Sequence, residues 1–191
     1  LTSVALQPDG RIVVAGDVLA RYRLDGTLDG SFGSGGVVDT AGLGGINGLA
    51  LQADGRIVVA GGRLARYTAD GRPDQGFGSD GSVTPAGSGP LHAVAIHPDG
   101  RIVVGCTDIG EDGRFALGRY LVDGTADPAF GDAGVLTTEV EGQDAGVRAL
   151  AIQGDGKIVA AGYRREVGCS ILGGCGGAGV NTLLIARYDG R

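Results

Sequence analysis

The chain has 191 residues, 40 of them glycine, with 42% hydrophobic content and a net charge of −6, which is enough apolar sequence for a core and rules out a disordered tract. Its charges are scattered, without the Lys/Arg cluster that neutralising phosphates would need, so nucleic acid is excluded as the expected partner. Apolar runs such as RIVVAG and NTLLIA are far too short to cross a bilayer, so no membrane insertion is expected.

The first predicted strand is VALQ, Val4 to Gln7, and Asp9–Gly10 then turns the chain, because both positions of an Asp-Gly hairpin tolerate positive φ. RIVVAG from Arg11 forms the second strand, and LARY ends the third at Tyr22. A second Asp-Gly pair at Asp25 leads to a Phe-Gly turn at Phe32, and VVDT from Val37 is the fourth strand. The series then begins again. The first pair recurs as Asp54–Gly55, Asp99–Gly100 and Asp155–Gly156, at steps of 45, 45 and 56 residues. Arg-Tyr recurs at Arg21, Arg66, Arg119 and Arg187, and Phe-Gly at Phe32, Phe77 and Phe130. The units are residues 1–45, 46–90, 91–145 and 146–191, the last with three strands instead of four. No segment shows an apolar period near 3.6, so helices are not expected.

Ile12, Val13, Val14 and Ala15 put apolar side chains on both sides of one strand, so both faces of its sheet must be covered. Four-stranded sheets stacked around an axis meet that demand. A β-propeller of four-stranded antiparallel blades is therefore predicted over a β-solenoid, whose rungs are shorter and lack tight Asp-Gly hairpins. The chain opens inside a repeat and contains no Met, so it is read as about four blades cut from a larger ring, with a four-blade ring lacking its last strand as the alternative.

The stretch LQPDGRIVVAG, followed by LARYRLDGTLDGSFGSGG, resembles the delta-60 repeat, and FALGRYLVDGTADPAFGDAG in unit three is similar to it as well. Unit four departs from the pattern, since Asp189 follows its Arg-Tyr directly. The resemblance implies a propeller-like array in a secreted or cell-surface bacterial protein, commonly beside adhesion-type domains. It implies no chemistry.

Among candidate residues, Asp9, Asp54, Asp99 and Asp155 are expected to make turn hydrogen bonds, since nothing around them matches a dense calcium loop. Arg21, Arg66, Arg119 and Arg187 each sit in a mostly apolar strand, where a guanidinium needs a carboxylate; Asp29, Asp74 and Asp127 are the expected partners. An arginine ring for an anionic ligand is the sharper alternative. His92 shares its register with Thr2, Asn47 and Arg148, and His97 shares that of Gln7, Gln52 and Gln153. No catalytic triad is supported.

Insertions spanning 107–114 in unit three and 163–180 in unit four interrupt the same connection, so they are expected to project from one face. The first carries Asp108, Glu111 and Asp112, a weak calcium candidate, although a solvated acidic turn is the plainer reading. The second carries Arg164 and Arg165, the first choice for partner contact, and Cys169 with Cys175, read as a loop disulfide with free thiols as the alternative. Cys106 stands apart in sequence. No cofactor is implied. The functional expectation is a non-catalytic scaffold or binding platform for a protein or glycan. The alternative is a fragment of a propeller hydrolase, lyase or quinoprotein whose catalytic residues lie elsewhere.

Overall fold

The computed structural model describes residues 1–85, 89–107, 114–140, 144–166 and 180–190. In these residues the only regular elements besides strands are single turns, as at Ala41–Leu43. The first sheet holds β1 (Ser3–Leu6), β2 (Ile12–Ala15), β3 (Val18–Tyr22) and β4 (Val37–Asp39) in that spatial order. The second repeats the pattern with β5 (Ile46–Leu51), β6 (Ile57–Gly61), β7 (Leu64–Tyr67) and β8 (Ser82–Val83). The third has β9 (Leu91–Ile96), β10 (Ile102–Thr107), β11 (Phe115–Tyr120) and β12 (Val135–Thr138). The fourth has β13 (Asp144–Ile152), β14 (Ile158–Glu166) and β15 (Val180–Tyr188). All neighbours pair antiparallel. The molecule is an all-β propeller arc.

Each blade's first hairpin is closed in the same way. The Gln7 N–H donates to Arg11 O at 2.8 Å and the Gly10 N–H donates to Gln7 O at 2.9 Å, so the strand ends at Leu6 and Gln7 belongs to the turn, one residue short of the VALQ prediction. Gly10, Gly55, Gly100 and Gly156 all take φ between 83° and 89°, the left-handed region that the second position of an Asp-Gly turn requires.

The core lies between blades, because alternate residues of each strand face opposite neighbours. Val13, Leu19 and Phe32 of blade one pack with Ile57, Val59 and Tyr67 of blade two. Val58, Leu64 and Phe77 turn the other way, onto Leu91, Ile102 and Tyr120 of blade three. Val103, Leu117 and Phe130 then meet Val147, Ile158 and Ala160 of blade four. Burial of an apolar side chain is worth about 1.5–3 kcal/mol, so each joint is a small core in its own right. The two middle blades bury all of β6, β7 and β11.

The first strands β1, β5, β9 and β13 pack side by side in sequence, which makes them the inner strands along the propeller axis. The starts of these strands and the ends of the β10 and β14 strands lie at one face; the Asp-Gly turns lie at the other. The strand ends that flank both insertions, at 107 and 115 and at 166 and 180, therefore lie at the first of these, the insertion face. The insertion expected over 163–180 is shorter than its sequence bounds, because the strands on either side run into it. Tyr163 to Glu166 continue β14 and Val180 opens β15, so Arg164 and Arg165 pair across a hairpin with Thr182 and Asn181 and are strand residues. A ladder that can keep pairing does so, since leaving backbone groups unpaired costs more than extending the hairpin.

Candidate functional site

On the Asp-Gly face the repeated residues are committed to structure. The Asp9, Asp54 and Asp99 carboxylates each accept the N–H of the residue two ahead at 3.0 Å, and Asp155 does so at 3.2 Å. Their second oxygens take the side chains of Arg11, Arg56, Arg101 and Lys157. These turns are solvent-exposed and close the hairpins.

Behind them lies a deeper joint. Arg21, Arg66 and Arg119 are 2–6% exposed, and each donates through Nε to the aspartate eight residues on: Asp29 at 2.9 Å, Asp74 at 2.8 Å and Asp127 at 2.8 Å. Each guanidinium lies over the Phe of its own unit, 4.5–4.8 Å from the ring centre of Phe32, Phe77 or Phe130. It then reaches across to the next blade. Arg21 Nη1 donates to Ala69 O at 2.6 Å, Arg119 Nη1 to Gly190 O at 2.7 Å, and Arg66 Nη1 to Val122 O. The acceptor is always the carbonyl three residues after the next unit's Arg-Tyr arginine, so Gly190 keeps the register even though Asp189 comes early. Arg11, Arg56 and Arg101 add a second cation to the same aspartates. The Ser31 hydroxyl and the Arg21 charge hold Asp29 well down, at about 2. Burial would raise Asp74 and Asp127, but backbone N–H donors and paired arginines keep both below the ordinary carboxylate value.

Arg187 departs from the pattern. It is exposed, and among the described residues no carboxylate pairs with it. The ring of anion-binding arginines is not what the three buried ones form, because their donors are spent on aspartate and backbone.

The insertion face is organised differently. In three consecutive blades the inner strand carries a β-bulge at one register position. Ile46 and Gly48 pair with Gly61 and Ala60, leaving Asn47 over. Leu91 and Ala93 pair with Cys106 and Gly105, leaving His92 over. Val147 and Ala149 pair with Gly162 and Ala161, leaving Arg148 over. Thr2 stands in the same register ahead of β1, its N–H donating to Ala15 O at 2.9 Å. A bulge re-aims one side chain without disturbing the rest of the sheet, and here it does so at the axis.

Thr2 Oγ1 donates to Ile46 O at 2.6 Å and Asn47 Nδ2 to Leu91 O at 2.9 Å, each bridging to the next blade. Blade three breaks the series. His92 Nδ1 is 2.9 Å from Arg148 Nη1, and the Arg148 guanidinium lies 5.1 Å from the Tyr163 ring centre. Burial and the Arg148 charge hold the His92 imidazole below its usual value, so it is neutral at pH 7. The ring of four was visible in sequence as a position that is polar in every unit and never the same. The bulge that aims it was not.

His97 is elsewhere, on the Asp-Gly face, with Nε2 3.1 Å from Gly156 O and Nδ1 2.7 Å from Asp99. It lines a cleft of about 460 Å³ between blades three and four with Arg101, Asp155, Lys157 and Asp189. Most of those charges are already paired locally. Cys106 is buried, with Sγ 3.6 Å from Ala116 O. Asp108, Glu111, Asp112, Cys169 and Cys175 lie outside the described residues. Among the described residues no three His, Cys, Asp or Glu side chains gather where they would hold a metal ion, and no helix is long and apolar enough to cross a membrane.

Three stretches, residues 7–32, 52–77 and 97–130, match the family described as Domain of unknown function (DUF5122) beta-propeller. The chain is thus built of β-propeller-like repeats. Each matched stretch runs from the Gln or His ahead of Asp-Gly to the Phe under the arginine, and none includes a bulge residue. A sequence comparison with curated proteins finds no match. Among solved structures, virginiamycin B lyase from Staphylococcus aureus superposes with a TM-score of 0.57 at 14% identity, over 97% of this chain and 54% of that one. A streptogramin B lyase gives 0.55 at 14%, over 97% and 53%. A protein of unknown function from Bacteroides caccae gives 0.57 at 15%, over 94% and 57%. At such identities the likeness is one of fold. The chain spans little more than half the length of these structures.

Proposed function

We propose that the chain is a non-catalytic binding module, of the delta-60 repeat kind, in a larger secreted or cell-surface bacterial protein. It meets a protein or glycan partner through its insertion face. The observation that supports this reading most is that departures from the repeat, His97 apart, collect on one face. The described ends of both insertions and all the bulge residues are there, while the opposite face spends its repeated arginines and aspartates on the same joint in blades one to three. Variable segments on a rigid scaffold are where recognition usually resides. Arg164 and Arg165, near the end of β14, belong to that surface, and neighbouring blades supply the rigidity. Secretion and surface display rest on the delta-60 likeness and on the same binding role.

The test is thermal melting of the chain against a panel of oligosaccharides, surface proteins and calcium, beside a variant with residues 108–113 and 167–179 replaced by short glycine links. A ligand at 100 times its Kd adds about 2.7 kcal/mol, which for a domain of this size raises Tm by about 5–10 °C. A shift that disappears on trimming supports the reading. A shift that survives trimming moves the partner to another surface, and turnover of any panel member overturns the non-catalytic role.

A further inference from the structure

We propose that Arg148, His92 and Tyr163 form a carboxylate-binding site at the axis end of blades three and four, an inference that deepens the binding role above and rests on it. An arginine nitrogen only donates, so the 2.9 Å contact makes His92 Nδ1 the acceptor. A neutral ring then carries its proton on Nε2, which remains a donor. Arg148 uses Nη1 on this bond, and its remaining N–H groups have no carboxylate within ion-pair distance among the described residues. Arg21, Arg66 and Arg119 in the same molecule all do have one.

The guanidinium is also held in place. It sits over the Tyr163 ring at 5.1 Å, and the bulge between Val147 and Ala149 sets the direction of its stem. Arg148 is exposed and His92 partly buried, so the pair presents donors to solvent from a fixed base. The site therefore offers one full positive charge, a planar fork of N–H groups and one neutral imidazole donor, and no acceptor aimed outward from the pair. That set fits a monoanion with two coplanar oxygens, which is a carboxylate. A cation has nothing to bind there, and a phosphate dianion would want a second full charge.

The shared chemistry has two sources, an acidic sugar or an acidic peptide side chain. The experiment titrates the 191-residue chain with trigalacturonate, triglutamate and inorganic phosphate, following the His92 ring nitrogens and the Arg148 Nε–H by NMR. Expected are shifts of both groups with at least one carboxylate probe, weakened at least tenfold by Arg148→Gln and severalfold by His92→Asn. Arg187→Gln, an exposed arginine of the same sheet, leaves them unchanged. Which probe binds identifies the source. No shift with either carboxylate, equal binding by Arg148→Gln, or tighter binding of phosphate overturns the site. If the carboxylates fail while a panel ligand still gives a loop-dependent melting shift, the site alone falls; if both fail, the binding role falls with it.

Discussion

The two faces of this arc treat polar groups in opposite ways. On the Asp-Gly face Arg21, Arg66 and Arg119 are buried, paired with aspartate and joined to the next blade, and all three do the same thing. On the insertion face Thr2, Asn47, His92 and Arg148 occupy one register position and form three kinds of contact. The lesson is that repetition marks what a propeller needs in order to stand, and departure from repetition marks where it is free to do something else.

The largest expected effect tests the joint itself. Arg119→Ala leaves Asp127 buried with one arginine fewer and removes the bond to Gly190, and loss of one partner from a buried pair costs about 3–5 kcal/mol. Arg187→Ala changes an exposed residue at the same place in its repeat and costs less than about 0.5 kcal/mol. Urea unfolding of the two variants checks this. Equal losses would mean that register, and not the joint, carries the stability.

A smaller effect separates glycine's two uses. Gly124 has φ 89°, and a Cβ there would lie 2.9 Å from the Phe77 ring of the preceding blade. Gly26, its counterpart in blade one, has φ 81° with nothing within 4 Å. Gly124→Ala is expected to cost about 2–4 kcal/mol, combining left-handed strain with overpacking, and Gly26→Ala about 1–2 kcal/mol from strain alone. The difference in denaturation midpoint measures how tightly the second Asp-Gly turn packs against its neighbour.

Acid probes the same joints together. Asp29 titrates at about 2 in the folded chain, below the ordinary value of about 3.9 in an unfolded one. A depressed folded pKa gives stability that is complete above the unfolded value and lost as pH falls toward 2. Asp74 and Asp127 shift in the same direction. Urea midpoints are therefore expected to hold at pH 5 and fall steeply between about pH 4 and pH 2, with a shallower fall in Asp29→Asn.

How far these residues can be read from sequence follows from range. Asp-Gly hairpins and two-sided apolar strands are local, so the propeller was legible from Asp9 and from Ile12 to Ala15. The pairing of Arg21 with Asp29 was legible too, because the step of eight residues recurs. The reach of Arg21 to Ala69 was not, since a carbonyl 48 residues away leaves no trace in residue identity. The bulges at Asn47, His92 and Arg148 were hidden for a related reason, because a bulge is a mismatch of two strands and each strand alone reads as regular. The strand position of Arg164 and Arg165 is hidden because the repeat pattern stops before them, whereas the β14 ladder runs on through Glu166.

The smallest effects bear most directly on the contrast between the faces. If the bulge residues of blades three and four are free of structural duty, Arg148→Gln and His92→Asn each change unfolding free energy by less than about 0.5 kcal/mol, the range of ordinary surface substitutions. Asn47→Ala is the internal control. It removes a partly buried hydrogen bond to the Leu91 carbonyl and is expected to cost about 1 kcal/mol. That ordering, with the two blade-three and blade-four residues below the blade-two residue, is what a site grafted onto a repeating bridge requires. A loss of 2 kcal/mol or more in Arg148→Gln would reverse it. The Arg148–His92 contact would then be a fourth kind of interblade joint, and the face would be scaffold from one side to the other.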